Sequence, residues 1–552
     1  MNACFRGTLE RLKPLLTAAA LGLTLVACGA GDDGALQTVD APVLTAALLP
    51  AAGAAAAVRS APLGAPDGVA DYRPSTVAWA PCPENPALQC GVLQLPVDYG
   101  NPSSKQFGMA VIRAPATGPG ERIGVVIVGP GGPGGSGVDT VLNTVALGIP
   151  VVARVRQRFD VISFDPRGAA RSHPVQCKVT FDPPPVADDE AAQAAYFDEL
   201  GRRYVQACEQ QNGRFVFTLS TNNIARDVEM LRRSLGEATF SFIGASAATQ
   251  IGAVYASMFP NRLRATVLDG SYGPQTGGDA LLDLYIEQNT GYEAALTRLD
   301  QLCRKDPACA LRSIGVRQAF DAVAARLRKQ PVLIDGVRLT DNELSATAQA
   351  GLDAERLTPG FVNVLHAAYG GNDLPLAQMF KSAVRGVGSF EAFLPIVCST
   401  FAGRLSAEHY LPIDAVAREM HPRIYGDVHQ QLPSRPTFAP RFILAACSAW
   451  PAGEETVLRN VKHELAKPVL LMANDFDGAT PPAWSRRMAS VLGFERSVFR
   501  YRGGGHTATS SVNVCMDDVI VNYFIELRLP VEGATCPARP LRFSLPGATI
   551  AP

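Results

Sequence analysis

Thr239-Phe240-Ser241-Phe242-Ile243 runs directly into Gly244-Ala245-Ser246-Ala247-Ala248-Thr249. The first five residues are rich in aromatic and β-branched types and read as a short buried strand. Gln250 to Ser257 then carries a helix-like pattern. A serine between strand and helix, with small residues on either side, suits a sharp turn that pushes its hydroxyl forward. The five-residue match alone is a weak signal. Its strand-turn-helix setting makes it a strong one.

Two later segments extend this reading. Pro468-Val469-Leu470-Leu471-Met472 is an apolar run leading to Asn474-Asp475-Phe476-Asp477-Gly478, and Ser497-Val498-Phe499-Arg500-Tyr501 leads to Gly503-Gly504-Gly505-His506. Each run predicts a strand, so Ser246, Asp477 and His506 are expected at one edge of a parallel sheet. The order serine, acid, histidine is that of α/β-hydrolases. A serine hydroxyl attacks well only when a base takes its proton, and the base works best when a carboxylate holds its tautomer. Asp475 competes with Asp477 as the acid, but the following Thr480-Pro481 favours Asp477. Of seven histidines, only His506 follows a late strand in a glycine-rich loop. The expected fold is therefore α/β, an α/β-hydrolase fold with a mostly parallel central sheet and an inserted helical lid domain.

The rest of the chain fits that plan. Gly91 to Val97 and Phe107 to Ile112 read as edge strands, Ile123 to Val128 and Phe159 to Phe164 as buried central ones, and Arg264 to Gly270 as another. Helix-like stretches lie at 191–211 and 223–235. From about Pro274 to Gly403 the pattern becomes largely helical, as in Leu281, Leu282, Leu284 and Tyr285. The expected organisation is a signal at 1–28, a tether at 29–70, hydrolase core at 71–273, helical lid at 274–403, and second core part at 404–540.

Acyl transfer also needs N–H donors aimed at the developing oxyanion. The glycine turn Gly129-Pro130-Gly131-Gly132-Pro133-Gly134 offers one at Gly132, and the residue after the serine, Ala247, offers the other. A phosphate cradle is the competing reading of the turn, but no Gly-Lys-Ser/Thr follows and the spacing is not G-x-G-x-x-G. Asp475-Phe476-Asp477-Gly478 lacks the third acid and closing glutamate of a calcium loop. No C-x-x-C or H-E-x-x-H occurs, so neither metal nor cofactor is expected.

Composition narrows the partners. Among 552 residues the formal net charge is −1, with no basic run to follow a phosphate backbone, so nucleic acid is not expected. Arg6, Arg11 and Lys13 precede an uncharged stretch, Pro14 to Ala27, too short to span a bilayer comfortably. Leu25-Val26-Ala27-Cys28-Gly29 resembles a bacterial lipoprotein cleavage box, which implies lipidation at Cys28. Gly29 in place of aspartate points to the outer membrane in a Gram-negative cell, and the lipid would be the only membrane contact. The alternative is a plain secretory signal in which the cysteine falls by chance, leaving the protein periplasmic or secreted. Beyond Cys4 and Cys28 ten cysteines remain. An even number in an exported chain favours disulfides. Cys82–Cys90 and Cys303–Cys309 are the easiest pairs, and Cys177–Cys208, Cys398–Cys447 and Cys515–Cys536 follow in sequence order.

With these residues in hand, the chain resembles the secreted tripeptidyl aminopeptidases, relatives of prolyl aminopeptidase. The resemblance runs from about Val77 to Cys536. It rests on Cys90 to Tyr99, Gly131 to Gly137, Phe164-Asp165-Pro166-Arg167-Gly168, Ala225-Arg226-Asp227, the serine turn, Leu268-Asp269-Gly270, Asp477-x-x-Thr480-Pro481 and Gly505-His506. It implies a triad of Ser246, Asp477 and His506, with a helical lid that recognises a peptide's free amino end. Asp283 and Glu287, at the start of the lid, are candidates for that amine.

There are departures. Ala247 and Ala248 stand where the family commonly has tyrosine and glycine, Gly129 where it has asparagine or histidine, and Ala170 where it has glycine. Ala248 adds a methyl where helix and strand pack closely, and Ala247 removes an aromatic wall from the acyl site. The expected substrate is a peptide, with a small ester or lactone as the alternative.

Overall fold

The computed structural model describes residues 69, 72–103, 105–179, 190–274, 280–386, 391–401, 403–424, 440–509 and 513–544. The signal, Cys28 and nearly all of the tether lie outside the described residues.

Ten strands form the main sheet. In chain order they are β1 (Ala80–Pro81), β2 (Gln89–Pro96), β3 (Gln106–Ala114), β4 (Gly124–Gly129), β5 (Phe159–Phe164), β6 (Phe240–Ala245) and β7 (Leu263–Asp269). A separate hairpin, β8 (Val332–Ile334) and β9 (Val337–Leu339), follows. The sheet then resumes with β10 (Leu470–Phe476), β11 (Val498–Gly504) and β12 (Thr535–Cys536). Across the sheet the order is β1-β2-β3-β5-β4-β6-β7-β10-β11-β12. Within this sheet β5, β4, β6, β7, β10, β11 and β12 pair in parallel, while β1, β2 and β3 make antiparallel pairs, β3 with β5 as well as β2. The fold is an α/β-hydrolase fold. One expectation is corrected: Phe107 to Ile112 does not lie at an edge, because β3 pairs with both β2 and β5.

Alternation along the central strands explains their continuous apolar sequence. Val125, Ile127, Phe240, Phe242 and Leu268 enter a core on one face, and Val126, Phe159, Val161, Ala265 and Val267 enter a core on the other. Both faces are covered, so most side chains of either parity are apolar, and the buried polar ones are partnered, as Asp160 is by Arg113 and Arg122. Helices Thr221–Ser234, Ala248–Met258 and Pro482–Leu492 cover the first face, and Gly137–Ala146, Pro150–Val155 and Val514–Glu526 the second. Ser136 caps the helix Gly137–Ala146 by accepting from the Asp139 N–H at 3.0 Å.

Between β7 and β10 the described residues are mainly helical, from Ala280 to Ala449. Two groups can be separated by what they bury. Tyr292 to Ala377, together with Ile424, form their own apolar cluster. Leu281, Leu282, Leu284, Phe393 to Cys398, Tyr410 and Phe442 to Cys447 instead join the core of the first sheet face. Among the described residues no helix is long and apolar enough to cross a membrane. Disulfides join Cys82–Cys90, Cys177–Cys208, Cys303–Cys309, Cys398–Cys447 and Cys515–Cys536.

Candidate active site

Ser246, Asp477 and His506 each follow the C-terminal end of a parallel strand, β6, β10 and β11 respectively. Ligand sites of open parallel sheets form at that end. Ser246 has φ +59°, in the left-handed region that a non-glycine residue adopts only when its surroundings enforce it. Here its N–H donates to the Asp269 carbonyl at 2.9 Å, and its carbonyl accepts from the Thr249 N–H at 2.9 Å and from Thr249 Oγ1 at 2.6 Å. The turn is tied to the neighbouring strand on one side and to the following helix on the other.

The glycine turn abuts it. A Cβ at Gly131 would stand 3.3 Å from the Ala245 carbonyl oxygen and 3.9 Å from Ser246 Cβ. Gly132 follows with φ +116°, and Ala247 is the N-cap of the helix Ala248–Met258. The Ala247 N–H therefore precedes the first intrahelical bond and is of the kind helix starts leave for a ligand.

Asp477 is 1% exposed. Its carboxylate accepts from the Thr480 N–H and Thr480 Oγ1, both at 2.8 Å, and from the Thr507 N–H at 3.0 Å. His506 Nδ1 stands 3.1 Å from both carboxylate oxygens. An ionised carboxylate can only accept, so Nδ1 is the donor and Nε2 is left for another partner. Asp475 is engaged elsewhere, with Arg500 Nε at 2.8 Å and Arg502 Nε at 3.0 Å. The choice between the two acids is thus geometric. Asp269, buried at the end of β7, accepts from the Ala508 and Thr509 N–H groups at 2.9 and 2.7 Å, anchoring the far side of the histidine loop.

Burial of the His506 ring pulls its pKa down, but the carboxylates of Asp477, Asp353 and Asp269 outweigh this and hold it up at about 9. Asp353 and Tyr292 were not singled out by the sequence, because both sit in the helical segment with no motif around them. The Tyr292 hydroxyl donates to the Asp353 carboxylate at 2.9 Å, and the His506 N–H donates to the Asp353 carbonyl at 2.7 Å.

Asp283 and Glu287 lie on the helix Ala280–Lys305. Glu287 accepts from Trp484 Nε1 and forms an ion pair with Arg487. Neither residue is among the hydrogen-bond partners described for Ser246, Asp477 or His506.

Two sequence departures meet in space. A Cβ at Gly129 would stand 3.0 Å from Ala248 Cβ and 2.6 Å from Phe242 Cζ. The extra methyl of Ala248 thus occupies room left by the missing side chain at position 129. Gly129→Ala is expected to cost about 1–3 kcal/mol from overpacking. Adding Ala248→Gly should recover part of it, with a coupling of about 0.5 kcal/mol or more in a urea-unfolding double-mutant cycle. Strict additivity would mean that Phe242 alone sets the limit. Ala170, another departure, takes φ +43°, where glycine is the ordinary residue.

Comparison with known proteins agrees with this fold. Residues 124–322 match the family model described as alpha/beta hydrolase fold, and residues 435–536 match that of TAP-like protein. Serine protease Hip1 of Mycobacterium tuberculosis is 28% identical over 492 residues, 83% of this chain and 91% of that protein. Tripeptidyl aminopeptidase of Streptomyces lividans is 28% identical over 477 residues, 81% and 83% of the two chains. Carboxylesterase B of M. tuberculosis is 28% identical over 470 residues, 81% and 86% respectively.

Proposed function

Proceeding from a chain that is a serine hydrolase of the α/β-hydrolase fold, related to tripeptidyl aminopeptidases, we propose that it is an exported aminopeptidase. On this reading Ser246 Oγ attacks the scissile carbonyl while His506 Nε2 takes its proton. Asp477 holds the Nδ1–H and stabilises the imidazolium. The N–H groups of Gly132 and Ala247 receive the oxyanion. Protonated His506 then gives its proton to the departing amine, and water releases the short peptide or single residue from the acyl-enzyme. The observation that carries this reading is the 3.1 Å contact of His506 with buried Asp477 at the same sheet edge as the strained Ser246 turn.

The free amine of the peptide would be recognised by the helix Ala280–Lys305, through Asp283 and Glu287. For Glu287 to receive an ammonium group it must exchange Arg487 for it. The helical segment 274–403 serves as the lid. The five disulfides support an oxidising compartment, in keeping with a cleaved signal and a lipid at Cys28. Ala247 and the carboxylesterase relative support the second reading, hydrolysis of an ester or lactone by the same triad.

A matched panel separates the two. Peptide anilides of one to three residues with free amines, their N-acetylated forms, and short-chain esters are presented to protein lacking residues 1–28. Cleavage of free-amine anilides that acetylation abolishes is the expected result. Ester cleavage without anilide cleavage would replace aminopeptidase by esterase.

A further inference from the structure

The loop that carries His506 is held from above by the helical segment as well as from below by the sheet. The helix Asp341–Asp353 ends against it, and Asp353-Ala354-Glu355 crosses it. Asn474 Nδ2, from β10, donates to the Gly505 carbonyl at 2.8 Å. The other contacts come from the crossing segment. The His506 N–H donates to the Asp353 carbonyl at 2.7 Å, and the Gly504 N–H donates to Glu355 Oε1 at 3.0 Å. Tyr501, on β11, donates its hydroxyl to Glu355 Oε2 at 2.7 Å. At Gly505 a Cβ would meet Asp353 O, Glu355 Cβ and Glu355 N, each at 3.3 Å, so the crossing is in van der Waals contact.

Tyr292 closes the arrangement. Its ring lies against Gly478, where a Cβ would stand 2.3 Å from Tyr292 Cδ1, and its hydroxyl reaches the Asp353 carboxylate. Tyr292 thereby ties the Asp353 carboxylate to the loop that carries Asp477, and that carboxylate interacts electrostatically with both His506 and Asp477. Arg298, whose guanidinium lies 4.7 Å from the Phe476 ring centre, pairs with Glu355 at 3.6 Å.

We propose that Asp353 and Glu355 belong to the general-base apparatus as positioning residues. Asp353 sets a second carboxylate beside the imidazolium formed in turnover, and Glu355 fixes the loop that bears it. This rests on Ser246, His506 and Asp477 acting as the triad. The helical segment then completes the base as well as covering the site.

The ionisable groups around His506 are Asp477 from the β10 loop, Asp269 from β7, and Asp353 with Tyr292 from the helical segment. Glu355 and Arg298 flank Gly504 and Gly505. Burial pushes the Asp353 carboxyl up to about 6, opposed by His506 and the Tyr292 hydroxyl and assisted by Asp477. Above that pH Asp353 is charged, which favours the protonated imidazole; a base must be neutral, so reaction should rise with pH toward the His506 value of about 9.

The test is the second-order rate of Ser246 modification by an uncharged fluorophosphonate across pH, a readout that needs the base but no known substrate. Asp353→Asn keeps both hydrogen-bonding carbonyls and removes the charge. Its midpoint should fall by about one unit, with Asp353→Glu returning toward the parent. Glu355→Gln should lower the plateau about tenfold without moving the midpoint. An Asp353→Asn midpoint equal to the parent's would overturn the proposal.

Should that variant not fold, ¹⁵N-histidine spectra of the Ser246→Ala protein serve instead. His506 should then report an inflection near 6 ahead of its own titration, and its absence would count equally against the idea. Failure of the triad itself looks different: the Ser246→Ala protein would be labelled at the parent rate.

Discussion

Ser246→Ala is expected to reduce turnover by about 10⁴-fold or more and to abolish fluorophosphonate labelling, while leaving the fold unchanged. The size follows from the proposed division of labour. Without Oγ there is no acyl-enzyme, and the site keeps only the oxyanion donors and whatever binding it offers. Structural cost should be small because the turn is enforced by the backbone. The Ser246 N–H and carbonyl make its bonds to Asp269 and Thr249, and alanine keeps both groups. Alanine at φ +59° carries the same Cβ as serine, so the steric demand of the turn does not change. Melting temperature and turnover, measured on the same preparation, check both halves. Full labelling of the variant would place the nucleophile elsewhere.

Asp227→Ala is expected to have the largest effect on stability, about 3–5 kcal/mol in the denaturant midpoint with disulfides intact. Arg167 and Asp227 both have fully buried side chains. The guanidinium donates twice to the carboxylate, Nη2 to Oδ1 at 2.6 Å and Nε to Oδ2 at 2.7 Å. Tyr99 adds a third donor to Asp227 at 2.8 Å, and Arg167 spends its remaining N–H groups on the carbonyls of Pro96, Val97 and Thr218. Its guanidinium also lies 5.5 Å from the Tyr99 ring centre and 5.1 Å from that of Phe107.

Removing Asp227 leaves a cation in this enclosure with neither water nor counter-charge. The penalty is that of the orphaned charge more than of the lost attraction. Arg167→Met combined with Asp227→Leu should therefore cost less than Asp227→Ala alone. A double variant as unstable as the sum of the two single ones would show that the pair is not coupled.

The sequence by itself determined the α/β layering and the order of the site. Parallel strands buried on both faces are apolar at most positions, which makes Val125 to Val128 and the longer run Phe159 to Phe164 legible without coordinates. The serine turn was equally legible, since a strand, a small-residue turn and a helix in succession define its geometry locally. The closeness of Asp477 and His506 was foreseeable because each follows its own strand of the same sheet. Which of Asp475 and Asp477 faces the histidine depended on where the loop leaves β10, and there Arg500 and Arg502 take the first acid.

What only the tertiary structure decided is what long-range packing brings together. Arg167 and Asp227 stand 60 residues apart and mark no common pattern until helix and loop close on each other. Asp353 and Glu355 reach the His506 loop from another apolar cluster, about 150 residues away in sequence, and no period or motif encodes that crossing. Gly129 and Ala248 read as two separate departures, yet they occupy one space. Local sequence dictates periodicity and turns, because those are interactions between near neighbours. The partner of a buried charge, or the occupant of a gap, is chosen only when distant segments compete for the same volume.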